Sequence, residues 1–517
     1  MQEIELKFVL AEPPAKLWAR VKGLDGSFAG PHTRPLRSLY YDTPDRALRD
    51  AGIALRTRRD GRRSLQTVKA GRQALGGFTD VQESEVVIRG WAPDPNAIPD
   101  DGLRSRVVEL CRGKELIVVA DMRFRRSSGA VALPDGARVE ISTDIGTITA
   151  QDASAPWNEL EIERIDGSAR ALFDVANALY PDGGLRFSRL PKSARAELLA
   201  MEGRVSPLPA PRNAVGVPLD GHMSIEEAAR DVMRECADQI CANIEAVRDT
   251  DDMEGPHQLR IGLRRLRSWF SIFQHVARSA ELGRLAEEAG WLAGEVGRLR
   301  DMDVAAKDIV GTEAARHPDE MPLAALAQVI ARHSADERAK LLQVLDGPRV
   351  QAFELDLIRF IETRGWFEDT DLDQSRRLAA QVSTFADEAL ARRWKKTRNH
   401  ARGLKKLGLA ERHELRKELK KLRYTFEFFG SLYQPKRTAR LSRRLKALQD
   451  VFGEVNDAAM VRRLLADPAF AAPDDPRLQR AVGWILGVTQ LRAEIVWAKA
   501  ADLWRRLKGT GRFWDQG

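Results

Sequence analysis

Along the first 200 residues charged and apolar positions alternate, whereas along the rest they recur at helical spacing. In Glu3-Ile4-Glu5-Leu6-Lys7-Phe8 every second side chain is charged and those between are apolar. A strand sends successive side chains to opposite faces, so this segment has one charged and one apolar face. The same period predicts strands near 2–9, 36–42, 53–59, 64–70, 81–89, 116–125, 137–143 and 157–164. Helical patterns lie near 13–22, 101–112, 168–179 and 193–201. Many strands at short spacing suggest a barrel or a sandwich. Residues 221–510 carry long helical stretches, and residues 201–220 between the two regions are rich in Pro and Gly. The expected organisation is a two-domain α+β protein: a strand-rich domain at 1–200, a linker at 201–220 and an all-α domain at 221–510.

The charged strand faces carry the chemistry. Arg56 and Arg58 share a face, as do Glu83 and Glu85, and Arg123 and Arg125, while Glu159, Glu161 and Glu163 alternate with Leu160 and Ile162. One such strand is ordinarily a solvated surface. Five or more, some acidic and some basic, fit a closed barrel with the charges in its lumen and the apolar faces under helices. A lumen lined by both signs is costly to build empty. It makes sense if it holds a polyanion together with its metal. Glu3 and Glu5, with Glu159 and Glu161 on another strand, could share a hard divalent ion such as Mg²⁺. Lys7, Arg56, Arg58, Lys69, Arg123 and Arg125 could hold phosphate oxygens. Phosphoryl transfer needs mainly positioning and charge neutralisation, which such a lumen supplies. There is no glycine-rich nucleotide loop, zinc signature or nucleophile elbow.

Composition narrows the partners. Of 517 residues 43% are hydrophobic and 31% charged, which excludes a disordered chain. Lys and Arg number 83 against 75 Asp and Glu, a net charge of +8 that favours anionic partners. Cys111, Cys236 and Cys241 form no CxxC pair, which fits a reducing, cytoplasmic compartment. No apolar run reaches the roughly 18 residues of a membrane helix, so no membrane partner is expected. The charged start Met1-Gln2-Glu3 argues against a secretory leader.

Glu3-Ile4-Glu5-Leu6-Lys7 matches the ExExK signature of the CYTH family, the triphosphate tunnel metalloenzymes. Tyr40-Tyr41-Asp42-Thr43, Leu55-Arg56-Thr57-Arg58, Lys69 and Glu159-Leu160-Glu161-Ile162-Glu163 followed by Gly167 resemble its later motifs, in order. The resemblance implies an eight-stranded antiparallel β-barrel tunnel with flanking helices that binds triphosphate with Mg²⁺ or Mn²⁺. It makes Glu3, Glu5, Glu140, Glu159 and Glu161 metal ligands, with Asp144 and Glu163 as helpers. Lys7, Arg56, Arg58, Lys69, Arg123, Arg125 and Lys192 become phosphate contacts, and Glu85 a further acidic lumen residue. Family members place Ser-Lys where this chain has Pro191-Lys192-Ser193, and Arg where it has Val81.

The second half contains a duplication. His257-Gln258-Leu259-Arg260-Ile261-Gly262-Leu263-Arg264-Arg265-Leu266-Arg267 parallels His413-Glu414-Leu415-Arg416-Lys417-Glu418-Leu419-Lys420-Lys421-Leu422-Arg423 at an offset of 156 residues. The same offset pairs Phe270 with Phe426, Phe273 with Phe429, Gly297 with Gly453 and Asp301 with Asp457. At about 100° per residue, His257, Arg260, Arg264 and Arg267 fall on one side of a helix and Leu259, Leu263, Leu266, Phe270 and Phe273 on the other. His413, Arg416, Lys420 and Arg423 repeat that arrangement, with Arg265, Lys417 and Lys421 at the stripe margins. Without a base-stacking aromatic ladder, a bare anionic chain suits these stripes better than nucleic acid does. Asp301 and Asp457 are expected to brace the basic side chains. The pattern resembles the CHAD domain, a helical bundle. That resemblance implies that His257, Arg260, Arg264, Arg267, His413, Arg416, Lys417, Lys420, Lys421 and Arg423 bind inorganic polyphosphate.

The expected activity is hydrolysis of inorganic tripolyphosphate to pyrophosphate and phosphate, with Glu3, Glu5, Lys7, Arg56 and Arg58 at the reacting centre. The helical domain would hold long-chain polyphosphate, in the cytoplasm or at polyphosphate granules. The competing readings are hydrolysis or cyclisation of an organic triphosphate, such as thiamine triphosphate or a nucleotide, and a non-catalytic polyphosphate scaffold.

Overall fold

A computed structural model of the chain describes residues 2–61, 63–71, 75–367, 371–467, 470, 475–512 and 514. The first region contains nine strands: β1 (Gln2–Phe8), β2 (Ser27–Phe28), β3 (His32–Asp42), β4 (Ile53–Asp60), β5 (Arg63–Gly71), β6 (Phe78–Ile88), β7 (Ile117–Ala132), β8 (Arg138–Ala150) and β9 (Ala153–Asp166). Their order is β2-β7-β3-β4-β5-β6-β1-β9-β8, and β7 also pairs with β8, so eight of them close into an antiparallel barrel. Short β2 hangs on β7 outside that ring. The eight barrel strands coincide with the eight that the alternation predicts, although β7, β8 and β9 run several residues further.

The apolar faces behave as alternation requires. Leu6, Phe8, Val139, Ile141, Leu160 and Ile162 are fully buried on the outer wall. Helix Arg170–Leu179 covers β1 and β9, stacking Phe173 on Phe78 at 5.7 Å between ring centres. Helix Asp101–Cys111 does the same for β4 and β5, adding Leu103, Val107 and Cys111 to Tyr41, Ile53, Leu55 and Val68. Its start is fixed by Asp100, whose carboxylate caps the Leu103 amide at 2.9 Å.

At one end the polarity reverses. Leu36, Met122, Phe124, Ile148 and Trp157 turn inward and meet Ala196 and Leu199 of helix Lys192–Glu202. That helix therefore closes part of the lumen with an apolar plug, and β7 exposes charge on its outer side.

The helical region begins with Ile225–Asp249, whose first turn carries a capping box between Ser224 and Glu227. Helices Glu254–Phe273 and Ala280–Asp303 follow. The duplication is visible in three dimensions: Val382–His400, Leu409–Phe429 and Pro435–Leu465 begin close to 156 residues after those three helices. The two copies meet through their apolar faces. The indole of Trp269, fully buried, lies 5.2 Å from the Phe428 ring and 5.6 Å from that of Phe429. Among the described residues no helix is long and apolar enough to cross a membrane.

The chain divides into two compact units, residues 1–209 with 346–359, and residues 210–345 with 360–517. Residues 346–359 join the first unit through Gln351, which donates to the Tyr180 carbonyl at 2.8 Å and accepts from the Leu185 amide at 3.1 Å.

Candidate functional site

Register decides which side chains look into the barrel. Glu5 lies opposite Glu163 and Lys7 opposite Glu161 across β1 and β9. Asp144 lies opposite Glu159, and Glu140 opposite Glu163, across β8 and β9. Tyr40 faces Arg56 across β3 and β4, and Lys69 faces Glu83 across β5 and β6. Paired residues share a face, so these charges all point to one side. They surround a cavity of about 390 Å³ lined by Glu3, Glu5, Lys7, Arg56, Lys69, Arg126, Glu161 and Lys192.

Inside, opposite charges are matched. Lys7 binds Glu5 at 2.8 Å and approaches Glu161 at 3.7 Å. Burial disfavours its ammonium, but Glu5, Glu161, Glu159 and Glu3 outweigh that and hold its pKa well above the ordinary lysine value. Lys192 binds Glu161 at 2.6 Å and Asp144 at 2.8 Å. Lys69 pairs with Glu3. Arg56 and Arg58, two residues apart on β4, are less well served. Their nearest carboxylates are Glu83 at 3.7 Å and Glu85 at 3.5 Å. The buried Nε of each has no hydrogen-bond partner among the described residues. Repulsion from Arg56, followed by burial, pushes the Arg58 pKa down to about 10.

Two expected phosphate contacts are misplaced. Arg123 and Arg125 are exposed on the outer wall, where Arg123 pairs with Asp121 at 3.2 Å. Their parity on β7 is that of the solvent side, because the inward positions there are Met122, Phe124 and Arg126. Arg126 is the lumen residue that the sequence reading missed. It binds Asp144 at 2.6 Å and also Glu161. Its signal was present: it shares parity with Phe124, which is needed inside against the helix plug.

The acidic residues separate into three groups. Glu3, Glu5 and Glu161 line the cavity. Glu159 is fully buried, held by Ser188 and near Lys192 at 3.5 Å, and Glu140 lies against Ser142 at 3.4 Å. Glu163 stands opposite Glu5, and burial with repulsion from Glu3 and Glu5 pushes its pKa up to about 8. Crowded carboxylate oxygens of this kind are the donors that Mg²⁺ or Mn²⁺ prefers, so the donor set fits a hard divalent ion. Among the described residues no three acidic, His or Cys side chains already converge in metal-holding geometry, since each lining carboxylate is drawn to a lysine or arginine.

In the helical unit the two basic stripes converge. Arg264 donates to the Tyr424 hydroxyl at 2.6 Å, bridging the two copies. Burial together with Arg264, Arg416 and Arg260 pushes Lys420 down to about 6. Arg416 is lowered to about 10, by burial and by Arg264 and Arg260 against the opposing pull of Asp457. Asp301 braces Arg260 at 2.8 Å, as expected of it. His257 lies at the same cluster, its pKa lowered by burial and by Arg300. The other stripe residues stand apart. Arg267 rests against Gly290. Lys417, Lys421 and Arg423 pair on their own helix with Glu414, Glu418 and Glu427 at 2.6, 2.9 and 2.6 Å. His413 opens on a separate hollow with His400 and Arg402. Arg265 is not marginal but buried, bound to Gln239 at 2.6 Å.

Known families account for both regions. Residues 1–195 match the CYTH domain and residues 231–466 the CHAD domain. The chain carries a CYTH domain followed by a CHAD domain. The CHAD assignment is joined by a solved CHAD domain from the plant Ricinus communis, 26% identical, which covers 59% of this chain and 98% of that one with a TM-score of 0.51. An inorganic triphosphatase of Haemophilus influenzae is 26% identical over 165 residues, which is 32% of this chain and 46% of that protein's length. The chain thus aligns with about half of that curated relative.

Proposed function

We propose that the CYTH domain hydrolyses inorganic tripolyphosphate to pyrophosphate and phosphate with a divalent metal, Mg²⁺ or Mn²⁺, and that the CHAD domain binds long-chain polyphosphate. The observation that carries the reading is the Arg56–Arg58 pair: two half-buried neighbouring guanidinium groups, each with a buried Nε that lacks an acceptor among the described residues. A phosphate chain supplies acceptors and relieves their repulsion at once.

The rest of the lumen is built for an exchange of partners. Glu3, Glu5 and Glu161 would hold the metal, leaving Lys7, Lys69 and Lys192 free for phosphoryl oxygens. A bound divalent ion neutralises phosphate charge and lowers the pKa of a coordinated water. Arg56, Arg58 and Arg126 orient the chain and stabilise charge on the departing pyrophosphate. Because the internal ion pairs are exchanged rather than broken, the desolvation cost of the buried charges is largely met before substrate arrives. In the CHAD domain Arg260, Arg264, Arg416 and Lys420 face one another without carboxylates to match them all, which suits an extended polyanion. The Haemophilus relative, named an inorganic triphosphatase, supports the choice of substrate. A cytoplasmic location at polyphosphate deposits belongs to the same reading.

The test is a comparison of tripolyphosphate, ATP, thiamine triphosphate and pyrophosphate, with phosphate release and cyclic AMP as readouts. The expected result is the highest kcat/KM for tripolyphosphate and no cyclic product. Preferred use of ATP with cyclic AMP formation would replace this reading by a cyclase, and no turnover of any of them by a scaffold.

A further inference from the structure

Among the described residues seven cations line the barrel cavity, and six of them have a carboxylate within ion-pair distance. Lys7, Lys69, Lys192 and Arg126 are matched as described above, Arg56 has only the longer approach to Glu83 at 3.7 Å, and Arg49 pairs with Asp50 at 2.7 Å and with Glu197. Arg46 is the seventh, and among the described residues it has no carboxylate partner. It lies in the connection from β3 to β4, at the rim of the barrel.

The local structure is organised to hold Arg46 there. Its φ is 61° and its ψ 31°, the left-handed region that residues with a side chain rarely occupy. The turn enforces this conformation. The carboxylate of Asp42, itself buried, accepts from the backbone amides of Thr43 at 2.7 Å, Leu48 at 3.0 Å and Arg49 at 3.2 Å. The Thr43 hydroxyl accepts from the Ala47 amide at 2.9 Å, and the Arg46 amide donates to the Thr43 carbonyl at 2.9 Å. A strained residue over-determined by its surroundings points to use of the side chain it presents. Here that side chain is a guanidinium, whose fork of donors matches phosphate and which has no competing acid to displace.

We infer that Arg46 is a further substrate-binding residue, which takes phosphoryl oxygens of the polyphosphate at the rim of the barrel. The inference rests on the triphosphatase reading of the same cavity. A contact at the rim holds substrate and transition state alike, so it acts on KM rather than on kcat.

Saturation kinetics of the full chain with tripolyphosphate at fixed Mg²⁺ test this. Arg46→Gln should raise KM roughly tenfold, the worth of one charge-assisted hydrogen bond, with kcat within about twofold. Arg46→Lys should recover part of the loss, and the thermal unfolding midpoints of both variants should stay close to wild type. An active wild-type chain with an unchanged KM in Arg46→Gln overturns the assignment of Arg46 alone, as does a fall in kcat at constant KM. An inactive wild-type chain overturns the triphosphatase reading, and Arg46 with it.

Discussion

Lys7, buried in the barrel, and Lys420, half-buried where the basic stripes of the helical unit converge, are both surrounded by charge, yet they respond in opposite directions. Around Lys7 the neighbours are Glu5, Glu161, Glu159 and Glu3, and its pKa rises despite burial. Around Lys420 the neighbours are mainly Arg264, Arg416 and Arg260, and burial together with their repulsion pushes its pKa down to about 6. The barrel stores its positive charge in ion pairs, which the proposed metal and phosphate chain would exchange. The convergent stripes leave Arg260, Arg264, Arg416 and Lys420 repelling one another, a repulsion that the proposed polyanion would relieve. One arrangement suits short-lived binding with chemistry, the other retention without chemistry.

The comparison can be broken first at the barrel. Glu5→Gln removes one charge from the proposed metal site and frees Lys7, and turnover of tripolyphosphate should fall by about 10³-fold, the upper range for loss of one preorganised electrostatic group. Steady-state phosphate release reads this directly. Arg126→Ala should cost about 10²-fold in kcat/KM, measured in the same assay. Undiminished turnover in either variant would mean that the matched charges are structural only.

The convergent basic stripes offer the next contrast. The groups that act most on Lys420 are Arg416 on its own helix, Arg260 and Arg264 across the repeat, and the acid Asp457. Its free pKa lies far below the ordinary value of 10.5, and a polyanion favours the charged form, so binding takes up a proton above pH 6. Polyphosphate affinity should then fall as pH rises from 7 to 9, by up to about tenfold per unit. Lys420→Arg, charged throughout, should flatten that dependence. Calorimetric titration in buffers of different ionisation enthalpy counts the proton, and equal slopes in the two proteins would remove Lys420 from the proposed polyphosphate site. The smallest effect belongs to Arg123→Ala and Arg125→Ala, which should leave turnover within about twofold because exposed charges far from the lumen are screened. A large loss in either would reverse the assignment of faces on β7.

That strand also shows where sequence reading stops. Alternation gives the period of a strand at once but not its phase. On β1, β4 and β9 the apolar residues sit outside under helices, so the charged parity is the inner one. On β7 arginines occupy both parities at 123, 125 and 126, and the inner face is chosen by a distant helix that plugs the lumen with Ala196 and Leu199. The repeat was legible because a 156-residue offset survives in residue identity. The meeting of Arg264 with Tyr424 and Lys420 was not, because it depends on how two helices pack through Trp269 and Phe428. Arg46 lies in a turn, where no periodicity points to it, and Arg265 shows that a residue at the edge of a basic stripe can be buried and approach an acid on the preceding helix, here Glu235 at 3.5 Å.

Phosphate release from tripolyphosphate by the full chain, measured with Mg²⁺, with Mn²⁺ and with excess chelator, tests the proposed barrel chemistry most directly. The account predicts one phosphate and one pyrophosphate per substrate with either metal, and none in chelator. Release that persists at full rate without a divalent ion, or no release with either one, would contradict it.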